Sequence, residues 1–251
     1  MNLFQRVGPF LYATLHSYNA LYELLTAKRS RQIANHDASQ LRTFLPFLDH
    51  YVSSAHAMAE KLSADYQAYT SKVSPGPITI SFELAVFLGL LSAHTRPMAI
   101  LDLGSGFSSC VFRRYLKETA PASAVVYSVD HSAPWLAKTG DFLQERGLDR
   151  RHLLTWEELL AAEKPKFDLA LLDIGDLSMR TQVLERIVSI CQPGALLVID
   201  DMHVPSYRRA ILNKLDQRGL GRYSLRNFTK KRLRYAYLAT LPTRHAGREQ
   251  R

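Results

Sequence analysis

The chain has 251 residues, 47% hydrophobic and 22% charged, with a formal net charge of +9. That length buries a core unaided, and its two cysteines, Cys110 and Cys191, expected in helices far apart, give neither a disulfide framework nor a metal-ligand spacing, so they are read as reduced buried thiols of a cytoplasmic protein. No apolar run reaches the roughly 18 residues of a membrane span, and the start Met1-Asn2-Leu3-Phe4-Gln5-Arg6, followed by a stretch broken at Pro9, His16, Ser17 and Asn19, does not read as a signal peptide.

Leu3, Phe4, Val7, Phe10, Leu11, Leu15 and Tyr18 recur at helical spacing. So do Leu41, Phe44, Leu45, Leu48 and Tyr51, and then Ala55, Met58 and Leu62, with Asp37 and Ser39 as expected caps. Ser74-Pro75-Gly76-Pro77 interrupts the pattern and marks a boundary. Residues 1–75 are therefore expected to be a helical extension that packs on the rest, covers a substrate or forms a homodimer interface. Another helix, over 81–93, leads into the most informative stretch.

That stretch is Ala99-Ile100-Leu101-Asp102-Leu103-Gly104-Ser105-Gly106, after which helical spacing resumes from Cys110 to Leu116. An apolar strand, a glycine turn and a helix open a doubly wound nucleotide-binding sheet. The glycines let backbone pass close under a ligand, and the helix N-terminus offers free N–H groups beside it. A dinucleotide fingerprint needs a third glycine where Ser109 stands. Asp102, two residues before the first glycine, suits a ligand with a cationic end.

A second strand, Ala124 to Val129, ends in Asp130, where a carboxylate can accept both ribose hydroxyls of a nucleoside. A third is expected at His152–Thr155, a fourth at Phe167–Leu172 between Asp168 and Asp173, and a fifth from Gly194 into Asp200 and Asp201. Helical-length segments separate them, which predicts right-handed crossovers and a parallel sheet with its ligand beyond the carboxyl ends. Tyr223–Phe228 and Arg234–Leu241, around the turn Thr229-Lys230-Lys231-Arg232, are expected to pair as an antiparallel hairpin.

This combination resembles the class I S-adenosylmethionine-dependent methyltransferases, whose first motif reads acid-x-Gly-x-Gly, over roughly Met98 to Leu241. The resemblance implies an α/β fold with a doubly wound, mostly parallel seven-stranded sheet ending in an antiparallel hairpin. It implies a methyltransferase domain over 76–242 after the extension, then a basic tail, 243–251, expected to be disordered. It also implies that Asp102, Gly104, Ser105 and Gly106 hold the methionine end of S-adenosylmethionine, Asp130 the ribose, and the Thr155-Trp156 loop the adenine. A packed core aromatic is the other reading of Trp156.

Within that family the metal-dependent catechol and caffeoyl-coenzyme A O-methyltransferases end the fourth strand in Asp and the fifth in Asp-Asn. Asp173, Asp200 and Asp201 stand in the matching places, so a Mg²⁺ site is expected as one option, three oxygen ligands leaving positions for water and acceptor. Asp201 replaces the usual Asn, and Asp176 stands where the catechol enzymes carry a basic Lys. The other option is that Asp173 is an active-site acid without metal, with Asp200 and Asp201 bonding loops. Asp173 and His203 are the candidates for the catalytic base.

O-methylation of a small-molecule hydroxyl is the expected reaction. From Arg222 to Arg251 there are nine basic residues and one acid, so an RNA methyltransferase that uses this basic end is the alternative. A non-catalytic scaffold of the same fold is a third reading. A nicotinamide oxidoreductase is opposed by the missing third glycine and by the terminal hairpin.

Overall fold

The structure is a computed structural model in which residues 25–243 are described; the helix expected over Leu3–Tyr18 and the tail beyond 243 lie outside these. A helix over 25–44 (α1) ends just before Pro46, which cannot continue it. A 3₁₀ turn, Pro46–His50, leads into helix α2, Tyr51–Lys72. Asp37 and Ser39, expected as caps, lie inside α1. The Asp37 carboxylate instead accepts the Ser224 backbone N–H at 2.7 Å, a tertiary tie to the far end of the chain.

Helix α3, Phe82–Thr95, is capped by Ser81, whose Oγ accepts the Leu84 N–H at 3.1 Å. Every residue from Leu84 to Ser92 is buried, as befits a helix that is apolar all round and has neighbours on all sides. Then follow β1 (Ala99–Leu103), α4 (Phe107–Glu118), β2 (Val125–Asp130), α5 (Ala133–Glu145), β3 (Leu153–Thr155), α6 (Trp156–Ala161), β4 (Phe167–Leu172), α7 (Leu177–Ile190), β5 (Cys191–Ile199), α8 (Pro205–Gln217), β6 (Gly221–Ser224), the short α9 (Arg226–Thr229) and β7 (Tyr237–Thr240).

The seven strands form one sheet in the order β3-β2-β1-β4-β5-β7-β6. β1 to β5 pair in parallel, whereas β7 runs antiparallel to both β5 and β6. The expected doubly wound sheet with an antiparallel end is what forms. The last strand inserts between β5 and β6, so the parallel array ends without a bare edge at β5.

Three expectations need correction. Arg226–Thr229 turns into a helix instead of extending the sixth strand, because Phe228 turns inward to pack on Tyr51 and Phe87. The seventh strand starts at Tyr237 rather than Arg234. Cys191 opens β5 rather than lying in a helix; it and Cys110 are buried and free.

Successive strand residues point to opposite faces, and two cores result. Ile100, Leu171, Val198 and Leu238 face one with α3, α4 and Phe228; Leu101, Leu172, Leu197 and Ile199 face the other with α7 and α8. Leu41, Leu48 and Leu62 belong to the first core. The described part of the N-terminal extension thus shares its core with the sheet. Among the described residues no helix is long and apolar enough to cross a membrane.

Candidate active site

The turn after β1 fixes the floor of the site. Gly104 has φ +98, a region L side chains rarely adopt, and a Cβ there would lie 2.5 Å from the Asp173 carbonyl oxygen. Only glycine lets the turn from β1 pass so close under the end of β4. The Gly104 N–H donates to the Val129 carbonyl at 2.8 Å, which draws the turn toward β2 as well.

Ser109, where a dinucleotide fold would carry its third glycine, has its own task. Its Oγ accepts the Gly106 N–H at 3.2 Å and donates to Asp102 Oδ2 at 2.5 Å. Ser128 Oγ donates to the same oxygen at 2.8 Å and accepts from Arg113 Nη1 at 2.6 Å. Asp102 and Arg113 are both fully enclosed. Burial pushes the Asp102 carboxyl above its ordinary value, against the pull of these hydroxyls and of Arg113. Asp102 therefore sits beneath the glycine turn and fixes its shape.

A cavity of about 290 Å³ opens at the carboxyl ends of β1, β2 and β4, where an open α/β sheet receives ligands. Gly104, Ser105, Gly106 and Asp130 line it, joined by Trp135, Asp173 and Arg180. Asp130 Oδ1 accepts the Ser132 N–H at 3.0 Å. Thr155 and Trp156 are not among its lining residues. Thr155 caps α6 through a reciprocal pair of bonds with Glu158, and Trp156 packs on the core at the α7–α8 face. The Thr-x-x-Glu spacing carried that cap in plain sight. The aromatic that does line the cavity is Trp135, whose Nε1 donates to the Ser105 carbonyl at 2.6 Å.

Asp173, Asp200 and Asp201 come together as expected, with one oxygen from each within 4.8 Å of the others. Oxygen donors in such a cluster suit a hard dication, yet two guanidinium groups already engage them. Arg180 Nη2 lies 2.8 Å from Asp173 Oδ1, and its Nη1 lies 3.0 Å from Asp201 Oδ2. Arg234 Nη2 lies 3.1 Å from Asp200 Oδ2, and its Nε lies 3.3 Å from Asp201 Oδ1. The donor set as arranged does not fit Mg²⁺, because the ion would sit against fixed positive charge.

Burial raises Asp173 well above its ordinary value, Arg180 opposes this, and Asp200 and Asp201 add to it. Asp200 is raised by burial and then by Asp201. Burial works against Asp201 too, but Arg234 and Arg180 hold it below its ordinary value. His203 is buried, with Nδ1 3.6 Å from Asp201 Oδ1, and is not among the residues lining the cavity. Asp176, in place of the catechol enzymes' Lys, caps α7 by accepting the Met179 N–H at 2.8 Å. Asp168 holds the start of β1, accepting the N–H groups of Met98 and Ala99 at 2.7 and 3.0 Å.

Three of the basic side chains in the C-terminal hairpin are paired with acids of the protein itself. Arg222 pairs with Asp216, Lys231 with Glu83, and Arg234 with the acidic cluster.

Sheet order, reversed last strand and glycine-floored cavity together define the fold of the class I, S-adenosylmethionine-dependent O-methyltransferases. No protein-family model and no curated protein sequence matches the chain, so the likeness is one of structure. The O-methyltransferase TomG from Streptomyces achromogenes, involved in tomaymycin synthesis and solved with S-adenosylmethionine, is 18% identical; the match covers 72% of this chain and 89% of TomG, with a TM-score of 0.54. The O-methyltransferase from Bacillus cereus, in complex with S-adenosylhomocysteine, is 14% identical over 74% of this chain and 91% of its own, with a TM-score of 0.56. Methyltransferase PaMTH1 from Podospora anserina, also bound to S-adenosylhomocysteine, is 13% identical over 80% and 98%, with a TM-score of 0.56.

Proposed function

We propose that the chain is an S-adenosylmethionine-dependent methyltransferase acting on a hydroxyl oxygen of a small molecule. The observation that carries this reading is one cavity with three chemically distinct parts. Its floor is a glycine turn that a single Cβ would obstruct, one side carries Asp130 and Trp135, and the other carries Asp173 with Arg180. That sequence of surfaces suits a ligand with an amino-acid end, a ribose and a flat base, so the residues present fit the cofactor.

When bound, the cofactor supplies an electrophilic methyl group on a sulfonium. The chain supplies position and proton transfer. Asp130 accepts the ribose hydroxyls, while Trp135 offers a flat apolar face beside it. Asp173 would take the proton of the acceptor hydroxyl and release it to water. A base must be ionised yet basic enough to accept, and burial beside two other carboxylates gives Asp173 that character, while Arg180 keeps the charged form within reach. Replacing Asp173 with asparagine is expected to lower kcat by about 10²- to 10⁴-fold. In the parent protein the rate should fall as pH drops through the raised pKa of Asp173; a pH–rate profile on a responding acceptor reads both.

The deciding experiment is calorimetric titration of the full chain with S-adenosylmethionine and, separately, with NAD. S-adenosylmethionine should bind and NAD should not. Asp130→Ala should weaken binding by on the order of 100-fold, the loss of charge-assisted hydrogen bonds worth about 1.5–3 kcal/mol. Binding of NAD alone, or of neither, overturns the reading.

A further inference from the structure

The two arginines at the acidic cluster are built into the fold. Arg180 lies one turn inside α7 and is only 7% exposed. Its Nε donates to the Ile174 carbonyl at 3.1 Å and its Nη2 to the Gly175 carbonyl at 3.3 Å, besides its contacts with Asp173 and Asp201. Three hydrogen bonds, to Ile174, Gly175 and Asp201, and the ion pair with Asp173 hold the group in one orientation from several sides. Arg234 reaches the cluster from the segment between α9 and β7. Its Nη1 donates to the carbonyls of Pro77 and Thr79 at 3.2 and 3.0 Å, tying the segment that bears Ile78 and Thr79, both cavity-lining, to the acids.

With all three carboxylates ionised, the two guanidinium groups leave the cluster one net negative charge. A divalent ion entering the cluster would have to displace at least one arginine, leaving that cation's burial uncompensated, or stand beside it. Neither route is open at modest cost in an enclosed site. A guanidinium can nonetheless do part of what a metal does. It carries a permanent charge, and it can stabilise negative charge developing on an oxygen without needing deprotonation or ligand exchange.

We propose that Arg180 and Arg234 occupy the place of a divalent cation, so that the acidic triad is a metal-free anchor and Arg180 presents the positive charge to the acceptor oxygen. The reaction is then independent of added metal. The acceptor class is one with a single ionisable oxygen, a phenol or an acidic enol, since there is no ion for two adjacent oxygens to chelate. The acceptor half of this inference rests on the methyltransferase reading, whereas the metal half does not.

The test separates the two. The full-length protein is titrated with Mn²⁺ while the free-ion electron paramagnetic resonance signal is followed. The parent protein should leave that signal unchanged up to millimolar ion. Arg180→Met with Arg234→Met, which leaves the acids without their cations, should bind Mn²⁺ at least about tenfold more tightly, and Asp200→Asn added to that pair should reverse the gain. Arg180→Lys, which keeps the charge, should stay silent.

Submillimolar binding by the parent protein overturns the proposal, and that result needs no variant to fold. A folded double variant, checked by its melting transition, that gains no affinity also overturns it. Where methyl transfer is measurable, its rate should be unchanged by EDTA and by Mg²⁺; a rate lost to EDTA and restored by Mg²⁺ overturns the proposal. Failure to bind S-adenosylmethionine would sink the methyltransferase reading while leaving the Mn²⁺ result intact.

Discussion

Gly104→Ala is expected to cost about 2–4 kcal/mol of stability and to abolish cofactor binding. Two penalties add at this position. An alanine must hold φ near +98, a region in which its Cβ is strained. The same Cβ would lie 2.5 Å from the Asp173 carbonyl oxygen, 2.6 Å from its carbon and 3.0 Å from the Ile174 nitrogen. These are backbone atoms, and the Asp173 N–H is itself bonded to the Leu103 carbonyl at 2.7 Å. Relief therefore requires β1 and β4 to part at the end where the cavity opens. Gly106→Ala is the control. Its backbone is extended, and its Cβ would meet Tyr69 Oη at 3.2 Å, the end of a side chain. Urea denaturation and calorimetric titration of both variants check the contrast. A Gly104→Ala protein as stable as its parent would show that the turn relaxes without separating the strands.

What was legible in the sequence was what local chemistry decides. The apolar runs at 99–103, 125–129, 167–172 and 194–199 could hardly be anything but buried strands, and the glycine turn and the acids at their ends followed from spacing alone. The juxtaposition of Asp173, Asp200 and Asp201 was legible for the same reason, since neighbouring parallel strands bring their carboxyl ends together. Their counterions were not. Arg180 reads as an ordinary cation on a helix, and Arg234 as the first residue of a strand after a basic turn. Only the packing of α7 and the path of the chain after α9 turn both inward.

Trp135 is no more legible. In the first turn of α5 it looks like a surface aromatic, and its role depends on the Ser105 carbonyl 30 residues earlier. Thr155 and Trp156 stand where a loop after the third strand would meet the adenine, although the same residues carry the signal of a helix start. Phe228 ended the expected strand early because a tertiary pocket formed by Tyr51 and Phe87 outweighed local strand preference.

Arg113→Met should destabilise the protein by about 3–5 kcal/mol, the usual cost of leaving a buried charge without its partner. Arg113 is 1% exposed and Asp102 is fully enclosed. The guanidinium reaches the carboxylate through Ser128, and it also holds the Arg151 carbonyl at 2.9 Å across the β2–β3 side of the sheet. Methionine fills most of the volume but supplies no charge, so Asp102 must remain ionised without compensation or take up a proton.

The sign of the pH dependence follows. Burial already raises Asp102, and losing Arg113, which opposes that rise, raises it further. An acid with a higher pKa folded than unfolded binds more protons in the native state. Stability then falls as pH rises from the unfolded value, about 3.9, through the folded one. The deficit of the variant should therefore be largest near neutral pH and shrink on acidification, provided both proteins are followed in the range where each still folds cooperatively. Asp102→Asn combined with Arg113→Met removes both charges and should recover part of the loss, as urea titrations across pH would show. Equal deficits at all pH values, with no recovery in the double variant, would mean that Arg113 matters through the Arg151 carbonyl and packing rather than through Asp102.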